Sequence, residues 1–292
     1  MKKYAFMVSA SGYYAPGLKA LLHSINEFGK GIDIVAFVSP DVDDSKVIDW
    51  NEYHSGRELT WIISEGTNDK VEMVVDRFKK FAEIGKEYDA ICILDADMYL
   101  TADVCLFFDI ADAGFIVSGS NGMLIDFNSE YQKIAGVELG RSTWPYPQVH
   151  TTVPLFLSPK DLDWLKSVYD AWTPDGLDDF LLLNILGMLM NKHERMLVMP
   201  PYAFTGIHHW QMKPETAVFE KANLLLSGTE EQVYMVHGKW WDQKWLDGLW
   251  ETMERYFQDE GMGARSKRKT QDAIYLLKSK FEYYLNGGKN DR

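Results

Sequence analysis

The chain has 292 residues, enough for a sizeable core as one large domain or one and a half. At 46% hydrophobic and 25% charged it has the balance of a soluble globular protein, and its longest apolar runs fall short of the ~18 residues a membrane span needs. A net charge of −13 argues against broad nucleic-acid binding, which sets Lys and Arg against phosphates.

"KYAFMVSA" reads as a first strand rather than a signal peptide, because its apolar run is short and soon meets Ser, Gly and Tyr. "APGLKALLHSINEFG" follows as a helix with apolar residues at helical spacing and Gly29 near its end. "GIDIVAFVS" and "ELTWIIS" are the second and third strands, "DKVEMVVDRFKKFAEIGKEY" is an amphipathic helix, and "DAICILDADMYL" is a fourth strand. Near-continuous apolar strands alternating with helices predict an α/β fold. It is built on a mostly parallel central sheet covered by helices on both faces. Ligands of such sheets bind at the carboxyl ends of the strands.

The second half is less regular. "AGFIVSGSNG" holds another strand, and residues 120–152, with Trp144 and Tyr146, form a long functional loop region. A flat ring stacks on the apolar face of a sugar, which makes those two aromatics candidate sugar platforms. "VPLFLSPKDLDWLKSVYDAW" reads as strand, turn and helix, and "DGLDDFLLLNILGMLM" as a buried helix. "RMLVMPP" and "QVYMVHG" are short late strands. "QDAIYLLKSKFEYYL" is a terminal helix with Ile274, Leu277, Phe281 and Leu285 on one face. A domain is expected over residues 1–250, with a nucleotide-binding half at 1–118 and an acceptor-binding half at 119–250. Residues 251–292 form a C-terminal helical extension. From Arg265 onward there are eight basic and three acidic residues, so this tail carries +5 and the rest −18. It is a solvated helix face or a contact for an anionic surface. Only Cys92 and Cys105 are present, a usage that fits a reducing cytoplasm, with Cys92 expected as a buried thiol in its strand.

The chemistry gathers at the end of the fourth strand. Side chains alternate along a strand, so Asp95 and Asp97, with only the small Ala96 between them, can face one point. Two carboxylates so placed repel unless a proton, a cation or solvent intervenes. Mg²⁺ or Mn²⁺ suits carboxylate and phosphate oxygens together. The plainer alternative is a solvent-facing strand end with Asp97 capping a turn. Near the other end of the chain, "YMVHGKWW" sets His237 before Gly238 and Lys239. A neutral imidazole is a ligand Mn²⁺ accepts, glycine lets backbone approach closely, and a lysine is a point charge for phosphate. The tryptophans around His237 are expected to pack this loop onto the core.

In this order, "YYAPG", "ILDADMYL", "VPLFLSPKDL", "DDFLLLN" and "VHGKWW" resemble the motif series of nucleotide-sugar glycosyltransferases of the GT-A fold. The likeness is to the glycogenin-like and galactosyltransferase-like retaining family, glycosyltransferase family eight. It implies a UDP-sugar donor and a hexose passed to an acceptor hydroxyl. It implies that Tyr14 flanks the uracil with Ser9 and Ala10 nearby. Asp95, Asp97 and His237 would hold Mn²⁺ or Mg²⁺ across the diphosphate, with Ala96 between them, and Gly238 and Lys239 would contact the phosphates. Arg77, with Lys79 as the competing assignment, would reach the donor sugar or diphosphate. Asp179 would lie near the donor sugar, and Asp178 or Asp179 would serve as base were the reaction inverting. The chain departs from the pattern at Phe180, where the family has Gln, at Thr151, Thr152 and Val153, and in the glycine directly after His237. The partners expected are the donor, a second copy of the chain, and an acceptor that is a saccharide, a protein, a lipid-linked glycan or a modified nucleic acid. A sugar-phosphate nucleotidyltransferase is the alternative enzyme, but the turn after the first strand holds no Lys or Arg before Lys19. A non-catalytic nucleotide-sugar binder is the third reading.

Overall fold

The computed structural model describes residues 2–29, 31–47, 57–64, 79–119, 123–124, 146–147, 154–161, 196–199, 204–206, 233–259, 261 and 263–288. Strand β1 (Tyr4–Ala10) leads through a 3₁₀ turn, Gly12–Tyr14, into helix α1 (Ala15–Phe28). Pro16 lies in the first turn of that helix, where a missing N–H costs nothing and the fixed φ is already helical. Then come β2 (Asp33–Val38), the single turn α2 (Asp44–Val47) and β3 (Leu59–Ile63). Residues 79–84 are helical, ahead of β4 (Ala90–Asp95) and β5 (Met98–Leu100). Helix α3 (Cys105–Asp112) and strands β6 (Ile116–Gly119), β7 (Met123–Leu124), β8 (Tyr146–Pro147), β9 (Leu155–Leu157), β10 (Met196–Met199), β11 (Phe204–Gly206) and β12 (Met235–His237) follow. Two helices, α4 (Gln243–Asp259) and α5 (Ala264–Leu285), complete the described elements.

The central sheet has seven strands in the order β10-β6-β9-β4-β1-β2-β3. Only β9 runs against its neighbours β4 and β6, and the other six strands are parallel. The expected α/β class with a mostly parallel sheet is therefore what the chain adopts. The apolar runs are the physical reason. In β2 and β4 successive residues are buried whichever way they point, so neither face meets water. Phe6, Val8, Ile34, Ala36, Cys92 and Leu94 share one core with Leu18, Leu21 and Leu22 of α1 and with Phe107 and Phe108 of α3. Phe108 stacks on Tyr4 and meets Phe6 edge-on, each at 5.2 Å between ring centres. Ala5, Met7, Val35, Phe37 and Ile91, which point the other way, are buried as well. Cys92 is fully buried as expected, and burial pushes its thiol pKa well up, which makes it an inert packing group.

One element differs from the expectation in a way that matters for function. "DAICILDADMYL" is not a single strand. It breaks after Asp95, and Met98–Leu100 joins a second, three-stranded sheet, β11-β12-β5, where it runs antiparallel to β12. The break is fixed from several sides. The Leu100 N–H donates to Ser24 Oγ of α1 at 2.9 Å, Thr101 Oγ1 donates to the Val233 carbonyl at 2.9 Å, and the buried Tyr99 hydroxyl donates to the Leu277 carbonyl of α5 at 2.8 Å.

A second core forms beyond this small sheet. Tyr99, Val236 and Trp240 pack with Leu246, Leu249, Met253 and Phe257 of α4 and with Ile274, Leu277, Phe281 and Tyr284 of α5. The predicted apolar face of the terminal helix is thus buried, with Leu285 packed at its margin. Helix α4 begins at Gln243, ahead of the helical extension expected from residue 251, and its first half was not foreseen. Its signal was present, in an apolar stripe at three- and four-residue spacing opened by a capping Asp242. Helix α3 was also missed, although Asp103 Oδ1 accepts from the Cys105 N–H at 2.7 Å at its start. Among the described residues no helix is long and apolar enough to cross a membrane.

Four surface carboxylates give the fold an acid limit. Hydroxyl donors lower the pKa of each: Ser39 acts on Asp41, Ser45 on Asp43, Tyr4 on Asp109 and Tyr13 on Asp242. A depressed folded-state pKa means that the unfolded chain binds more protons in acid. The stabilisation is complete above the ordinary carboxylate value of ~3.9 and is lost as pH falls through the lower folded values. Urea midpoints should therefore hold level from pH 7 to about 5 and fall below about 4. A midpoint that holds level through pH 3 would show that these bonds do not bias folding.

Candidate metal centre

Asp95 is the last residue of β4 and stands in register with Ser9 near the end of β1, so it lies at the carboxyl edge of the parallel strands. The two-residue turn Ala96–Asp97 then carries the chain out of the sheet, with Asp97 immediately before β5. His237 ends β12 and faces Met98 of β5 across the small sheet. Asp97 is 6% exposed and His237 1%. His237 Nε2 lies 2.9 Å from Asp97 Oδ1, and the Gly238 N–H donates to the Asp97 carbonyl at 2.9 Å. Two bonds therefore tie the His-Gly-Lys loop to the Asp-Ala-Asp turn, across 140 residues of sequence.

One ligand atom from each of Asp95, Asp97 and His237 lies within 4.8 Å of the other two. An octahedral ion holding oxygen or nitrogen at about 2.1 Å sets adjacent ligand atoms about 3.0 Å apart and opposite ones about 4.2 Å apart, so the three residues stand close enough to share one ion after small side-chain movements. Carboxylate oxygens suit Mn²⁺ or Mg²⁺, and of the two the imidazole favours Mn²⁺. Burial sharpens the argument. Carboxylates partly removed from water beside one another are costly unless positive charge joins them.

The loop after His237 is shaped by close packing. Gly238 has φ of 156°, and a Cβ there would lie 2.7 Å from Trp245 Cη2 and 3.0 Å from Trp240 Nε1. Glycine is required on both counts. Trp240 is buried and meets Trp245 edge-on at 5.4 Å, so these tryptophans hold the loop on the second core, as expected.

Lys239 and Tyr14, read from separate motifs, come together. The Lys239 ammonium lies 5.3 Å from the ring centres of both Tyr13 and Tyr14. Tyr13, Tyr14 and Trp241 form an edge-on aromatic group at 5.0 to 6.0 Å. Gly17, in the first turn of α1, completes the assembly. A Cβ on it would lie 2.6 Å from the Ala96 carbonyl oxygen and 2.6 Å from Trp241 Cζ3. The glycine of "YYAPG" thus lets α1 lie directly on the Asp-Ala-Asp turn.

Ser9, Ala10, Tyr14, Ala96, Gly238 and Lys239 therefore gather around the Asp95, Asp97 and His237 cluster or its supporting strands. Lys79 is exposed at the start of the described helical residues 79–84. Arg77, Asp178 and Asp179 lie outside the described residues, as do Trp144, His150, His208 and His209. Tyr13 and Asp242 adjoin the cluster and were not singled out from the sequence, and Trp241, expected as a packing residue of the His237 loop, also meets Tyr13 and Tyr14. The doubled tyrosine and the capping aspartate before α4 were the available signals. Compared with known proteins, the chain matches no family model and no curated protein.

Proposed function

We propose that the chain is a metal-dependent glycosyltransferase that moves a hexose from a UDP-sugar to an acceptor hydroxyl on a GT-A-type fold. One observation carries the reading: Asp95, Asp97 and His237 converge at the carboxyl edge of a mostly parallel sheet, beside Lys239 and Tyr14. In this reading Asp95, Asp97 and His237 hold Mn²⁺ or Mg²⁺. Such an ion, when bound, supplies the positive charge that a departing diphosphate needs. Lys239 adds a second positive charge on the same side, and Gly238 brings backbone close to the phosphates. Tyr14 offers an aromatic edge or face to the uracil at the end of β1, where Ser9 and Ala10 leave room. The resemblance adds Arg77 and Asp179 on the donor sugar. With retention, the leaving phosphate accepts the acceptor proton and no protein base is needed. Helices α4 and α5 are the C-terminal extension of this reading.

Titration calorimetry with UDP, run with Mn²⁺ and again in EDTA, tests the proposal. UDP binding that requires the metal is expected, followed by Mn²⁺-dependent hydrolysis of one UDP-hexose in a donor screen. UDP binding that ignores the metal, or none, would remove the glycosyltransferase reading. Turnover of UTP with a sugar phosphate would replace it with nucleotidyl transfer.

A further inference from the structure

Lys239 and Asp242 belong to one tight turn, in which the Asp242 N–H donates to the Lys239 carbonyl at 2.9 Å. A lysine and an aspartate three residues apart in a turn readily form an ion pair. Here they do not. Among the described residues no carboxylate lies within salt-bridge distance of Lys239, and its ammonium stands over the rings of Tyr13 and Tyr14. The reason lies in how Asp242 is held. Its Oδ1 accepts the Trp245 N–H at 3.1 Å, which caps α4, and its Oδ2 accepts the Tyr13 hydroxyl. Both carboxylate oxygens are thus engaged by neutral donors. Tyr13 is itself anchored from the other side. A Cβ on the preceding residue, Gly12, would lie 2.5 Å from Asp41 Oδ2, so the 3₁₀ turn is pressed against the turn that follows β2.

We propose that Tyr13 is a positioning residue that acts through Lys239: by holding Asp242 it keeps the lysine's charge open to an anionic ligand beside the metal cluster. The inference rests on the proposed function for the identity of that ligand, a nucleoside diphosphate. Without the phenol hydroxyl, Asp242 Oδ2 is released within one turn of Lys239. The two charges then pair, and a diphosphate must compete with a built-in carboxylate for the same ammonium. The ring of Tyr13 is not what matters in this account; its hydroxyl is.

A four-protein cycle separates this role from a merely structural one. UDP is titrated at saturating Mn²⁺ into wild type, Tyr13→Phe, Asp242→Asn and the double variant. Tyr13→Phe should weaken UDP on the order of tenfold, the size of one charge-assisted contact. Asp242→Asn keeps an oxygen for the α4 cap and cannot neutralise Lys239, so it should bind UDP at least as tightly as wild type. The double variant should regain most of what Tyr13→Phe loses. A double variant as weak as Tyr13→Phe, or weaker, overturns the proposal, because a structural clip broken from both sides is not repaired. The second arm needs no nucleotide. A crystal structure of Tyr13→Phe should show Asp242 Oδ2 within 4 Å of Lys239 Nζ, the criterion for an ion pair. Lys239 still over the rings would overturn the inference. If wild type fails to bind UDP, the proposed function falls, and this second arm alone decides the role of Tyr13.

Discussion

Asp97→Ala should lower metal-stimulated hydrolysis of a UDP-sugar by about a thousandfold or more. That corresponds to losing roughly 4 kcal/mol of charge stabilisation on the leaving group. Asp97 does two things at once. It offers a ligand atom to the converging cluster, and with no ion bound its Oδ1, 2.9 Å from Nε2 of the almost fully buried His237, is an acceptor for that ring. The variant therefore loses a ligand and the orientation of another. Removing that buried acceptor costs about 1 to 3 kcal/mol, against the roughly 5 to 15 kcal/mol that keep a domain folded, so the chain should stay folded. Asp97→Asn is the cleaner companion. It preserves volume and an acceptor for His237 while removing the charge that holds a cation. Both variants should show the wild-type far-ultraviolet circular dichroism and neither should bind Mn²⁺ tightly. Full activity in either variant would show that the metal is held elsewhere or not needed.

Gly17→Ala sets two physical effects against each other. Gly17 lies inside α1, and replacing a helical glycine by alanine ordinarily stabilises by about 0.5 to 1 kcal/mol. Packing says the reverse. The new Cβ would lie 2.6 Å from the Ala96 carbonyl oxygen, a backbone atom that cannot swing away, and 2.6 Å from the Trp241 ring. Overfilling a packed site costs about 1 to 3 kcal/mol, which outweighs the propensity gain. The melting temperature should fall by several degrees, at roughly 2 to 4 °C per kcal/mol for a chain of this class. Mn²⁺ affinity should fall with it, on the order of tenfold, because the displaced atom belongs to the residue between Asp95 and Asp97. Gly248→Ala is the internal control. It lies in α4 with nothing within 4 Å of the added carbon, so propensity alone acts and the melting temperature should rise. A rise in both variants would mean that α1 does not rest on the Asp-Ala-Asp turn.

The elements that the sequence made legible are those whose burial is periodic and local. Tyr4–Ala10, Ala15–Phe28, Asp33–Val38 and Leu59–Ile63 follow from apolar runs and helical spacing, and all four are present. The placement of Asp95 at a strand end follows from the same pattern, because an apolar run that stops in a carboxylate must stop at the sheet's edge. Ile274, Leu277 and Phe281 were readable as a buried stripe for the same reason. Helix α4 was harder to read because its stripe is built largely from residues that only the second core needs, and its charged positions mask the mean apolarity.

Long-range pairing was not legible. Nothing local in "ILDADMYL" says that Met98–Leu100 belongs to another sheet; the partner strand β12 and the contacts of Tyr99 and Leu100 decide it. Nothing local places β9 antiparallel between β4 and β6. Local pattern is enough to show which residue types could hold a cation and that Asp95 stands at the sheet's edge. That His237 reaches Asp97, that Lys239 lies over Tyr14 and that Gly17 rests on Ala96 emerges only from the folded arrangement. The physical reason is that burial periodicity is written within a few residues, whereas a convergent site depends on backbone pairings between segments far apart in the chain, which no local pattern encodes.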